Sequence, residues 1–197
     1  MLADAFALLG LPRKAALDAE VVKAAFQKAA AAAHPDAAVD EADRLTRTVL
    51  FQQLNEASAL LTPAASRLKH LLALDHSDFT ASRAAMMDEP LVALFTQVGA
   101  AVRAAAEWTR RRQAATTFLA KAALTASEMQ VQETLEAAGR SVREAQEVLQ
   151  SAMEEVDAAP GGQAQAETLS ALAQRAAFLE KWQAQLQAAW AALFGAG

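Results

Sequence analysis

Three histidines, His34, His70 and His76, are the side chains here whose ordinary titration lies near neutral pH, so proton chemistry would have to run through them. His34 is followed by Pro35 and Asp36, and an imidazole beside a carboxylate suggests an acid–base pair. The intervening proline sets both in a turn, and no nucleophile or second base stands near them in sequence. A catalytic site needs several converging groups, so the chain reads as a non-enzyme. His70 and His76 have no cysteine or ligand cluster beside them. No metal and no cofactor is expected, and both read as solvated helix-end residues. Phosphate-cradling glycine loops, G-x-S-x-G and H-E-x-x-H are all absent. What remains is a recognition tip. A ring donor, a stiff proline and a carboxylate form a small preorganised corner that loses little entropy on meeting a partner.

The elements that must hold this corner are helical. Of 197 residues 54 are Ala and 25 are Leu, the two strongest helix formers, while seven Gly and five Pro leave little material for hairpins. The expected fold class is all-α. Residues 4–9 form a first helical pattern stopped by Gly10-Leu11-Pro12. A second runs from Asp18 to Ala33, with Val22, Phe26 and Ala29 on one face and Pro35 beyond its end. Asp36 to Asp40 is a loop. A third helix covers 41–61, with a stripe of Leu50, Leu54, Ala57 and Leu61. Thr62-Pro63 reads as N-cap and first helical residue of a fourth, ending near Leu74.

Residues 77–88 read as a linker, and 89–197 as an elongated three-helix bundle. Its first helix opens at Pro90 and packs through Leu91, Phe95, Val98, Val102 and Ala105, with a break near Thr125. A second seam runs Val131, Leu135, Ala138, Val142, Ala145, Leu149, Ala152 and Val156. Pro160-Gly161-Gly162 is the clearest turn. Leu172, Leu179, Leu186 and Leu193 then recur every seven residues, which argues for an antiparallel helical hairpin. Trp182 and Trp190 read as seam fillers, and Arg110-Arg111-Arg112 as a solvated charge run.

Several function classes drop out. A net charge of −5 argues against broad nucleic-acid binding. No apolar run reaches the roughly 18 residues of a membrane span, and the start lacks a basic signal-peptide region. Zero Cys excludes disulfides and suits a reducing cytoplasm, the expected location.

The residue pattern of the first 76 positions resembles a J-domain, specifically that of the HscB-type co-chaperones of iron–sulfur cluster assembly. The likeness is carried by Asp4-Ala5-Phe6-Ala7-Leu8-Leu9-Gly10-Leu11-Pro12, by Leu17-Asp18 with Phe26, and by His34-Pro35-Asp36. Leu54-Asn55-Glu56-Ala57, then Leu60, Pro63, Arg67, Leu71 and Leu72, extend it. A J-domain at 1–76, a linker and a C-terminal bundle is also the family's layout. The resemblance implies docking on a DnaK/HscA-type chaperone and stimulation of its ATPase. His34, Pro35 and Asp36 would carry that contact, assisted electrostatically by Lys23 and Lys28. It further implies that the bundle holds an iron–sulfur scaffold protein of the IscU type, with Leu91, Val92 and Phe95 as the apolar contacts. Departures are visible. Lys23 and Lys28 lie about 140° apart around their helix. Ala37 follows Asp36 where the family often has Lys, and Arg67 falls one position late. Thr96 and Gly99 stand where the family interleaves acids. Residues 1–76 carry eight basic against nine acidic side chains, with Arg13, Lys14, Arg44 and Arg47 as further cations. The alternative is a J-like adaptor that binds a partner, or a second copy of itself, through the long C-terminal helices.

Overall fold

Every regular element in the computed structural model, which describes residues 4–79 and 88–195, is helical. Local chemistry sets the ends. Helix α1 (Ala5–Leu9) starts where Asp4 accepts the N–H groups of Phe6 and Ala7. It stops at Gly10, whose φ of 65° is a left-handed conformation that glycine enters without a Cβ clash. Asp18 caps α2 (Ala19–Ala32) by accepting from Glu20. A 3-10 turn spans Pro35–Ala37, and Asp40 caps α3 (Glu41–Leu61) through the N–H of Asp43. Helix α4 is Ala64–Asp75. Asp88 caps α5 (Glu89–Ala114), and Thr117 caps a short α6 (Phe118–Ala123). Two long helices complete the chain, α7 (Thr125–Ala158) and α8 (Gln163–Phe194).

Two compact units share these elements, each made of two separate stretches of chain; most of residues 77–88 lies outside the described residues. One groups Met1–Ala84 with Leu149–Ala177; the other groups Ala85–Val148 with Phe178–Gly197. Helices α7 and α8 therefore contribute to both.

In the first unit α3 is the central rod, with α1, α2 and α4 all packed on it. Phe6, Val22, Leu61 and Leu68 are fully buried, and Leu149, Met153, Leu169 and Leu172 belong to the same unit's core. Leu50, placed on the buried stripe from its spacing, is 39% exposed, because the stripe fades toward the loop end of α3. Arg67 is the one charged side chain buried among the described residues. Its Nε donates to the Ala15 carbonyl at 2.9 Å and its Nη1 to the Leu61 carbonyl at 2.8 Å, joining the loop before α2 to the end of α3. Asp157 near the end of α7 accepts the N–H groups of Ala15 and Ala16 at 2.7 and 2.9 Å. The loop preceding α2 is thus held from both sides.

Three sequence expectations need correction here. Thr62 does not cap α4; its hydroxyl donates back to Ser58, and the helix begins after Pro63 without a side-chain cap. His70 is not a solvated helix end. Its Nε2 accepts the Ala5 N–H at 3.1 Å and its ring stacks on Phe6. Burial, partly opposed by the Asp4 carboxylate, lowers its pKa below the ordinary 6.5. His76 likewise pairs with Gln165 Oε1 at 3.3 Å.

In the second unit α5 buries Leu91, Leu94, Val98, Ala101, Ala105 and Trp108, a strict alternation of three and four. The expected stripe used Phe95 and Val102 instead. The helix is rotated so that Leu94 and the small Ala101 face inward, and Phe95 is left 56% exposed. Leu135, Ala138 and Val142 of α7 and Leu179, Trp182, Leu186 and Leu193 of α8 complete this core, in the seams read from the sequence. Trp108 closes it, donating Nε1–H to the Leu124 carbonyl. The break near Thr125 is present, α7 starting there after the Leu124 cap, and a further one follows Ala114, with the short α6 between them.

Candidate functional site

The corner between α2 and α3 is built by local hydrogen bonds. His34 takes the cap position of the 3-10 turn, and its Nδ1 accepts the Asp36 N–H at 3.2 Å. The neutral ring then carries its proton on Nε2, which is free to donate outward. Pro35 fills the first position of the turn, where its fixed φ and missing N–H cost nothing. The His34 ring stands edge-on to Phe51 of α3 at 5.7 Å, which fixes its direction. Asp36 points away from the hairpin, its side chain 88% exposed. His34 Nδ1 and Asp36 Oδ2 are 3.6 Å apart, too far for a hydrogen bond. The Asp36 carboxylate has no hydrogen-bond donor among the described residues and is available to one from outside.

A second set of residues, not singled out in the sequence for this role, locks the corner. Arg47 Nη1 donates to the Ala32 carbonyl at the end of α2, and its Nε donates to Asp43 Oδ2 at 2.8 Å. Asp43 also accepts the Val39 N–H at 3.1 Å. One guanidinium thereby ties the end of α2, the loop and the first turn of α3 together. The Arg47 hydrogen bond, then that from Val39, hold the Asp43 carboxyl below its ordinary pKa. Spacing hinted at only part of this: Asp43 and Arg47 are an i, i+4 pair, but nothing in sequence points Arg47 at Ala32.

The supporting cations divide. Lys28 is exposed with no ion-pair partner among the described residues, whereas Lys23 bonds Glu20 at 3.2 Å. Arg13 is committed to Asp4 and Asp75, at 2.7 and 2.9 Å. Burial raises the Asp4 pKa, but the Arg13 hydrogen bond and the Ala7 and Phe6 N–H groups outweigh it and the net shift is downward. Arg47 is taken up as described, and Arg44 stands 3.9 Å from Glu41. The positive footprint on the helix leading to the corner rests mainly on Lys28, with Lys23 in support.

On α5, Val92 and Phe95 are 46% and 56% exposed, while Leu91, expected beside them, is 6% exposed and packs inward. Phe95 leans on Trp182 of α8 with ring centroids 6.1 Å apart, and Trp182 stacks on Phe178 at 5.8 Å. Sequence reasoning missed Phe178 and treated Trp182 as seam filling alone. Trp182 is buried, yet its ring also supports an outward aromatic cluster. No group of three or more His, Asp or Glu among the described residues could hold a metal ion. No helix among them is long and apolar enough to cross a membrane.

Hairpin, corner and helical units define a class: an all-α protein with a hydrogen-bonded corner exposed between two helices. The comparisons narrow it. No family model matches the chain. Over 77 residues, 38% of its length, it is 40% identical to a protein of Chromobacterium violaceum named co-chaperone protein HscB homolog, and that stretch spans 44% of the relative. The chaperone HscB from Vibrio cholerae superposes over 94% of this chain and 96% of its own, with a TM-score of 0.55 at 20% identity, which shows a shared fold. The chain resembles the HscB-type co-chaperones, in sequence over part of its length and in fold over nearly all of it.

Proposed function

We propose that this chain is a co-chaperone of iron–sulfur cluster assembly that stimulates ATP hydrolysis by a DnaK/HscA-type chaperone and presents an IscU-type scaffold protein to it. The observation that carries the first half is the Asp36 carboxylate, held outward on a hydrogen-bonded corner with no donor of its own among the described residues. A rigid carboxylate and a ring N–H suit contact with a moving joint of another protein, since little entropy is lost on docking. The chain itself does no chemistry on ATP. It acts by binding one conformation of the chaperone better than another, a coupling free energy between the docking site and the nucleotide site. Lys23 and Lys28 steer the encounter. With Lys23 shared with Glu20, steering is weak and the salt dependence shallow.

The second half rests on Val92 and Phe95, exposed beside the Phe178–Trp182 stack. These side chains supply an apolar patch for the scaffold, and Leu91 supports them from inside. The alternative adaptor reading, docking through α5 to α8 without chaperone stimulation, is favoured by the thin basic footprint and by this same patch. The proposed work is cytoplasmic, and the cluster is cargo.

One assay separates the two readings. Purified chain added to a cognate DnaK/HscA-type chaperone raises its ATP turnover. Asp36→Asn, at an exposed site, leaves melting unchanged and removes the rise. Equal behaviour of wild type and variant sinks the proposal and leaves the adaptor reading.

A further inference from the structure

The aromatic patch sits in an unusual electrostatic setting for a chain of net charge −5. Residues 90–106 of α5 contain no acid at all and a single charge, Arg103. Residues 92, 96, 99 and 103 step by four, three and four, so Val92, Thr96, Gly99 and Arg103 share one face of the helix. Gly99 has a specific consequence. A Cβ built there would lie 3.2 Å from Arg103 Nη1, so the guanidinium folds back over the bare backbone of Gly99 toward the N-terminal end of α5. Glycine thus makes room for a cation beside the turn that carries Phe95. On α8, Lys181 lies three residues from Phe178, on the same side of its helix. Arg103 and Lys181 are both exposed, and neither has an ion-pair partner among the described residues. By contrast, Arg110 and Arg111 lower on α5 both pair with Glu107, whose carboxyl those bonds hold below its ordinary pKa. Arg103 shares the Val92 face of α5, and Lys181 is next to Trp182 in the chain and one turn from Phe178.

We infer that this face docks a protein segment carrying acidic side chains next to apolar ones, with Arg103 and Lys181 as the charge-reading residues. The inference rests on the proposed scaffold-docking role of Val92 and Phe95 and adds the charge of what meets them. Exposed rings supply the contact area. The two cations select against partners whose matching surface is basic, because like charges brought together at a desolvating interface are penalised. Gly99 lets the Arg103 guanidinium lie against the helix: a Cβ there, 3.2 Å from Nη1, would make that flexible end give by a few tenths of an ångström.

The test uses the full chain and a cluster-free IscU-type scaffold protein from the same organism, with affinity measured at low and high salt. Phe95→Ala and, independently, Val92→Ser weaken binding at both salt concentrations with helicity retained by circular dichroism. Arg103→Glu combined with Lys181→Glu weakens it about tenfold at low salt, and the difference collapses at high salt, where exposed charges are screened. Gly99→Ala reproduces a smaller part of the low-salt loss. If the apolar variants weaken binding but the double charge reversal leaves it unchanged or tighter, the acidic-partner inference is overturned and scaffold docking stands. If neither apolar variant weakens binding, scaffold docking at this face falls, and the inference with it.

Discussion

Arg67→Met removes the guanidinium that joins three parts of the hairpin while keeping most of the aliphatic volume. In the native chain that group, 3% exposed, donates to Ala15, Leu61 and, at 3.3 Å, Thr62 carbonyls. Hydrogen bonds from a charged donor are each worth roughly 1.5–3 kcal/mol, and the carbonyls left behind in the interior lose their partner. Against this, the variant no longer buries a charge, which recovers part of the loss. The balance is a net cost on the order of 2–4 kcal/mol, a large share of the roughly 5–15 kcal/mol that holds a domain folded. For a chain of this size that lowers the melting temperature by about 10 °C. Arg67→Lys, whose point charge cannot fork toward Ala15 and Leu61 together, falls between. Thermal melts followed by circular dichroism measure all three proteins. Amide exchange at residues 13–18 and 60–63 shows whether the loss is local to the clamp. A Met variant as stable as wild type would refute the reasoning, showing that burying the guanidinium costs as much as its bonds return.

Arg47→Ala frees the Ala32 carbonyl and loosens Asp43, so amide exchange at Ala37 to Val39 quickens on the order of three- to tenfold while α4 is unaffected; unchanged exchange contradicts the latch. His70 gives a pH signature. Its lowered pKa means the folded state resists protonation, so its contribution is complete above 6.5 and is lost as pH falls from there toward the depressed native value. Melting temperature therefore drops through that window, and His70→Gln, which does not titrate, flattens the profile. On α5, Leu91→Ala costs about 2–4 kcal/mol by leaving a cavity, whereas Val92→Ala stays within about 0.5 kcal/mol of wild-type stability and weakens scaffold binding. Denaturant melts and a pull-down separate the two.

Much of this architecture was legible because helical spacing is a strong signal when long. The seven-residue recurrence of Leu172, Leu179, Leu186 and Leu193 is buried at every step, and the corner after Ala33 falls where proline demands it. The phase of α5 was lost for a physical reason. Alanine is weak evidence for either face, so Phe95 and Val102 outweighed Leu94 and Ala101 by size, yet the seam takes Leu94 and Ala101 and leaves Phe95 exposed. Long-range partners of polar groups were not legible at all. His70 finds Ala5, Arg67 finds Ala15, and Asp157 finds Ala15 and Ala16 only after the chain has folded. Asp40 as a cap and Pro35 as a turn former are local chemistry, but the Arg47 bond to Ala32 that stiffens the corner spans the loop.

Where contact is made decides between a stimulating corner and an adaptor bundle. Amide exchange across the whole chain, with and without the ATP-bound DnaK/HscA-type chaperone and with no scaffold present, measures it directly. Protection centred on residues 34–38 and spreading to the exposed side of α2 is the expected footprint. Protection confined to α5 and α8, with the corner exchanging as freely as in the isolated chain, would contradict it.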